Sequence, residues 1–219
     1  MDKIAKLLEL ARARQASRWP GYRPLVEYHG GAYECDFVSP YTKSAGNVNA
    51  AVMVLLQDWS SHERLAGEFD RDAAELGHTP ALPTNRNLVL LLKTHFQLEL
   101  REVYGTNLFP FIKAGGLSSG IPESDLQRAA REFAIPQIEI VEPRLVICLG
   151  LRTFNGLRKA LGKEPSKTVA SAIESPVSLG ASRIWCQAHT GALGQNNRNR
   201  GGVDRVSGDW EGMRRDVGT

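Results

Sequence analysis

Cysteine is scarce in this chain. Only Cys35, Cys148 and Cys186 occur, and no two lie close together in sequence. An odd count without a CxxC pair argues against a disulfide framework and against zinc or iron–sulfur ligation. Long apolar runs are missing too, none approaching the roughly 20 residues that span a bilayer. The opening "MDKIAKLLELARAR" is amphipathic and lacks the small-residue cleavage site of a secretory signal, while Asp2 and Glu9 suit a transit peptide poorly. The one Gly-rich stretch, "KAGGLSSG", has no GKS/T ending, which excludes a P-loop and leaves Gly115, Gly116 and Gly120 as a connector. His62, His78 and His95 show no metal-ligand spacing and read as surface residues. The expectation is a soluble cytoplasmic protein, off the membrane, with no metal and no cofactor.

Charge of one sign is not in large excess: the formal net charge is +3. Its distribution says more. Arg12, Arg14, Arg18 and Arg23 cluster near the start, and Arg198, Arg200, Arg205, Arg214 and Arg215 near the end. Solvated surface explains such clusters, and so does contact with a polyanion.

At 219 residues the chain suits one domain with a sizeable core. Helical spacing of Ile4, Leu7, Leu8 and Ala11 predicts a helix over 3–15, before "RWPGYRP" breaks the pattern. Four short Val/Ile/Leu-rich runs read as buried strands, at about 51–57, 102–107, 144–149 and 183–188. Cys148 and Cys186 lie inside two of them as small core residues. Helices are expected at 61–76, 85–98, 122–134 and 151–161, with a further short one ending before Pro143. "YECDFV" reads as a possible short strand and 163–181 as irregular. Residues 194–208 read as a mobile loop before a short helix near 209–216. Strands alternating with 10–15-residue helices indicate parallel pairing. The expected fold is α/β: a single-domain three-layer sandwich with a small, mostly parallel four-stranded sheet flanked by helices. A helical arm (1–24) would precede the α/β domain (25–195), and a basic, polar tail (196–219) would follow it.

Three of the apolar runs end on a polar residue. Asp58 follows "AAVMVLLQ", Asn107 sits in "EVYGTNLFPF", and His189 closes "RIWCQAH". Ligands of open α/β sheets bind beyond the carboxyl ends of the strands, so these three groups are expected to share one cleft. Each also has a plainer use. Asp58 suits an N-cap, Asn107 a turn before Pro110, and His189 a surface position.

The order "VMVLLQDWSS", "TNLFPF", "PQIEIVEPRLVICLG", "WCQAHTGALGQNNR" resembles the uracil-DNA glycosylase superfamily over roughly residues 50–200. There a motif such as GQDPY follows the first strand, an Asn closes the second, and a motif such as HPSPLS follows the fourth. The resemblance implies a monomeric DNA-repair enzyme acting on uracil-containing DNA, in a bacterial-type cytoplasm at the nucleoid. It implies that Asp58 positions water and offsets positive charge on the sugar, and that His189 stabilises the departing base. Asn107, with Gln57 and Trp59, would bind the base. Leu193 would wedge into the DNA, Gly150 would approach the phosphate backbone, and Arg198 and Arg200 would meet phosphates. Such residue types fit the chemistry, because cleaving an N-glycosidic bond leaves an oxocarbenium-like sugar and an anionic base.

The motifs also depart from the family. Leu56 stands for Gly, and Trp59 and Ser60 stand for Pro and Tyr, the Tyr that crowds thymine's methyl. Thr190, Gly191, Ala192 and Gly194 replace Pro, Ser, Pro and Ser. The stacking residue is left open among Phe69, Phe109, Phe111 and Trp59. Three other activities stay open: excision of hypoxanthine or xanthine, DNA binding without catalysis, and an α/β enzyme for small nucleosides.

Overall fold

In β1 (Val52–Asp58) the side chains alternate between two apolar environments. Met53 and Leu55 join one buried cluster, while Val52, Val54 and Leu56 join another. A strand buried on both faces needs no polar alternation, which is why its sequence is a continuous apolar run. A computed structural model describes residues 2–218. Its sheet has the order β2-β1-β3-β5-β4, completed by β2 (Tyr104–Phe109), β3 (Leu145–Leu149), β4 (Val177–Leu179) and β5 (Ser182–Gln187). All pairings are parallel except β4 with β5.

The architecture is α/β with one sheet between two helical layers. The first layer packs α1 (Lys3–Ala16), α5 (Glu123–Ala129), α6 (Ile135–Val141) and α7 (Leu151–Ala160) through Leu7, Leu126, Ile138 and Phe154. The opposite layer uses α4 (Pro83–Phe96) and α10 (Arg205–Val217), through Leu88, Leu92, Trp210 and Met213. Four short helices complete the set: α2 (His62–Leu65), α3 (Arg71–Leu76), α8 (Val169–Ile173) and α9 (Ala192–Arg198). No helix of the described residues is long and apolar enough to cross a membrane.

Several expectations are corrected. The sheet has five strands, not four. Residues 177–179, read as irregular, pair antiparallel with β5 across a tight turn in which Gly180 takes φ +55°. "YECDFV" forms no strand, because the buried Arg14 guanidinium takes the Cys35 and Phe37 carbonyls (2.8 and 2.7 Å) and pairs with Glu34. Arg14 is therefore a core anchor and not part of a basic surface. The helix expected over 61–76 breaks into α2 and α3, where Asp70 restarts it by accepting from the Ala73 N–H at 3.0 Å. Conversely, α5 runs on into α6 through a π-helical turn, Ala130–Ala134, beside Pro136. Pro has no N–H to give, and a wider turn accommodates that. Residues 192–198 are helical where a mobile loop was expected from 194, and the helix expected near 209–216 is present and begins earlier, at Arg205. His78 and His95 pack against Tyr41 and Trp210 instead of standing in solvent.

Chain order places β2 on one side of β1 and β3 on the other, so the direction of winding reverses between β1 and β3. A crevice forms beyond the carboxyl ends of strands at such a point.

Candidate active site

That crevice is occupied by a single cleft of about 1170 Å³. Asp58 at the end of β1, Asn107 in β2, Gly150 after β3 and His189 after β5 all line it. Leu56 is registered opposite Asn107, so the amide sits two residues below the level of Asp58 on the neighbouring strand. Asn107 forms the floor and is fully buried. Its Oδ1 accepts from the Ser39 hydroxyl at 2.5 Å, whereas its Nδ2 donates to no protein group. A buried amide left without an acceptor costs about 1–3 kcal/mol.

Asp58 does not cap the following helix; Ser61 holds that position. Both carboxylate oxygens are engaged instead. Gln57 Nε2 donates to Oδ1 at 2.8 Å, and Lys113 Nζ meets Oδ2 at 2.8 Å. Lys113 is 3% exposed and Asp58 11%, so the pair is largely withdrawn from water. Removing one partner of such a pair costs about 3–5 kcal/mol. Lys113 also donates to the Leu117 carbonyl at 2.6 Å. Sequence reasoning missed this lysine, which follows "NLFPFI" and looks like the first surface residue of a loop. The signal was its position directly after the apolar run.

His189 stands at the open mouth of the cleft. Its Nδ1 accepts from the Gly191 N–H at 3.0 Å, which places the proton of the neutral ring on Nε2. Burial among the cleft walls lowers its pKa below the ordinary 6.5, against the opposing pull of the Asp58 charge. The ring is solvent-reachable yet crowded, and neutral near pH 7. Two glycines make room for it. Gly150 holds φ +97°, a conformation that side chains resist. At Gly194 a Cβ would lie 2.2 Å from the His189 carbonyl oxygen.

The remaining sequence candidates divide. Gln57 and Trp59 line the cleft, but the Trp59 indole N–H is committed to the Gly77 carbonyl at 2.7 Å and its ring meets Tyr33 edge-on. Ser60 is buried in the cleft wall with its hydroxyl unpartnered. Leu193 lies on the rim and is 76% exposed. Phe69 is exposed and also lines the cleft, whereas Phe109 and Phe111 pack against Trp19 on the far side of the sheet and do not. Arg198 and Arg200 are not among the lining residues. Arg198 grips both oxygens of Asp209 (2.6 and 2.8 Å), and Arg200 is exposed. Arg71 and Arg152 are exposed cations on the cleft; Arg71 pairs with Glu75, and Arg152, in the first turn of α7, donates to the Ile121 carbonyl. Among the described residues, no three His, Cys, Asp or Glu side chains cluster to hold a metal ion.

No family model matches the sequence, and no curated protein matches it significantly.

Proposed function

We propose that this chain is a uracil-DNA glycosylase, which hydrolyses the N-glycosidic bond of uracil in DNA and leaves an abasic site, the opening step of base-excision repair. The observation that carries the reading is the buried, unpartnered Nδ2 of Asn107 on the floor of a cleft shared with Asp58 and His189. A uracil edge offers the acceptor that amide lacks, and Asn107 Oδ1 can take the imide N–H. The base must leave the duplex stack to arrive there, and Leu193 on the rim suits the role of filling the gap.

As the bond breaks, positive charge grows on the sugar and negative charge on the base. Asp58 is held by two donors and keeps lone pairs free to orient a water and offset the sugar's charge. His189 presents Nε2–H to the departing base as a preorganised donor. A neutral imidazole serves here without prior protonation, since it gives a hydrogen bond rather than a proton. The proposal extends to partner and setting: a monomer acting on uracil-containing DNA in the cytoplasm, with phosphates met by Arg152 and Arg200.

The test is incubation with an end-labelled oligonucleotide holding one uracil, followed by alkali. A break at the uracil is expected. Asp58→Asn and His189→Ala should each slow single-turnover excision by about 10²-fold or more with the fold retained. No alkali-labile site, or unchanged rates in both variants, overturns the reading. Ser60 favours one alternative, because a small side chain stands where the resembling family has Tyr. A panel with hypoxanthine or xanthine at the same position separates that glycosylase from one for uracil.

A further inference from the structure

The structure assigns to Lys113 the role of a positioning residue that fixes the orientation of the Asp58 carboxylate; this rests on the glycosylase reading above. A lysine 2.8 Å from the acid has two opposed consequences. Its charge partly cancels the negative field that a cationic sugar would feel, which slows the reaction. Its hydrogen bond holds one carboxylate oxygen in place, which speeds it. The surroundings decide between them.

Lys113 is anchored along its whole length. Its carbonyl accepts from the His62 N–H at 2.9 Å, and the next carbonyl but one, Gly115, accepts from the Glu63 N–H at 3.1 Å. Ile112 exchanges backbone hydrogen bonds with Arg23, at 3.1 and 3.0 Å. The backbone of Lys113 is thus clamped to the segment that leaves Asp58, and its Nζ is pinned by Leu117 O on one side and Asp58 Oδ2 on the other. Gln57 holds the opposite oxygen. Two fixed donors on two oxygens leave the carboxylate no rotation about its last bond. A nucleophilic role for the amine is disfavoured by the same contacts, since the ammonium form satisfies both acceptors. Placement errors of about 1 Å can cost about 10²-fold in rate, so orientation outweighs the partial loss of field.

The experiment pairs rate with binding. Lys113→Met, Lys113→Arg and Lys113→Met combined with Asp58→Asn are measured in single-turnover excision. Lys113→Met should lower the rate by roughly 10²-fold with little change in affinity for uracil DNA, and Lys113→Arg should restore part of it. In the Asp58→Asn background the Met substitution should cost little more. Binding of two inert oligonucleotides is read in parallel, one with a cationic pyrrolidine in place of the sugar and one with neutral tetrahydrofuran. The wild type should prefer the cation, and Lys113→Met should reduce that preference. A preference that is unchanged or raised, or full additivity with Asp58→Asn, overturns the role of Lys113. A borohydride-trapped adduct at Lys113 overturns it in favour of covalent chemistry. Absence of uracil excision by the wild type counts against the glycosylase reading alone, because the binding preference still decides Lys113. If the Met variant fails to fold, the uncharged, shorter Lys113→Gln is read by the same preference.

Discussion

On the proposed reading, the unpartnered Nδ2 of Asn107 serves a ligand at the expense of the empty protein, and that can be measured. The perturbation is Asn107→Leu together with Ser39→Ala, removing both members of the 2.5 Å hydrogen bond. Leucine branches at the same carbon as asparagine and fills similar space. Relief of the orphan Nδ2 should contribute about 1–3 kcal/mol. Ser39 is also the N-cap of the turn Pro40–Lys43, accepting from the Tyr41 N–H at 3.2 Å, and losing a cap costs about 0.5–2 kcal/mol. The two effects oppose each other, so the double variant should lie between about 1 kcal/mol below and about 2.5 kcal/mol above the wild type in urea unfolding. Ser39→Ala should cost less in the Asn107→Leu background than in the wild type, because there the Ser39 hydroxyl has already lost its acceptor. Excision of uracil by the double variant should meanwhile fall by about 10²-fold or more, and discrimination against cytosine should narrow. A double variant that excises at the wild-type rate refutes Asn107 as reader of the base. One destabilised by more than about 4 kcal/mol shows that the amide belongs to the architecture instead.

Three further outcomes are expected. Leu193→Ala should slow excision from duplex more than from single-stranded oligonucleotides, since only the duplex has a gap to hold open; equal losses would count against a wedge. Gly194→Ala should damage excision out of proportion to its effect on the unfolding midpoint, because its Cβ must push the His189 backbone from a 2.2 Å approach; the ratio of the two effects is the readout. The lowered pKa of His189 has a pH consequence as well. A histidine whose folded pKa lies below its unfolded value stabilises the fold fully above about pH 6.5, and that contribution is lost as pH falls through the lowered value. His78 and His95 are shifted the same way by burial, so unfolding free energy should decline from pH 6.5 downward. Flat stability between pH 7 and 5 would contradict these three environments.

The four parallel strands were legible because each carries a short apolar stretch, continuous over 52–56 in β1 and throughout β3 and interrupted by polar residues in β2 and β5, and their observed ends fall within two residues of expectation. With the strands known, the convergence of Asp58, Asn107 and His189 followed from topology, and one cleft does contain them. Other features were hidden for physical reasons. "VSL" is too short to signal β4 without its hairpin partner. Arg14 continues the stripe of Leu7 and Ala11 at helical spacing, but a guanidinium on an apolar face looks like surface until its carbonyl acceptors are known. Lys113 looks like solvent for the same reason: its acid partner is 55 positions away. The engagement of Arg198 by Asp209 was equally invisible, because Arg198 lies in a Gly/Asn-rich stretch that carries no helical period to orient it toward the helix that carries Asp209.

The final helix has a reach beyond its own length. Trp210 and Met213 of α10 fill the face of the sheet that carries Val54, Ile147 and Trp185. Asp209 holds Arg198 at the end of α9, whose first turn carries Leu193, and the Asp209 carbonyl accepts from Gln187 at the end of β5. A proteolytic cut near residue 200 would therefore do more than trim a tail. It would uncover a strip of bare sheet and leave the rim leucine on an unbraced stub, coupling loss of the last turns to loss of grip on any long substrate.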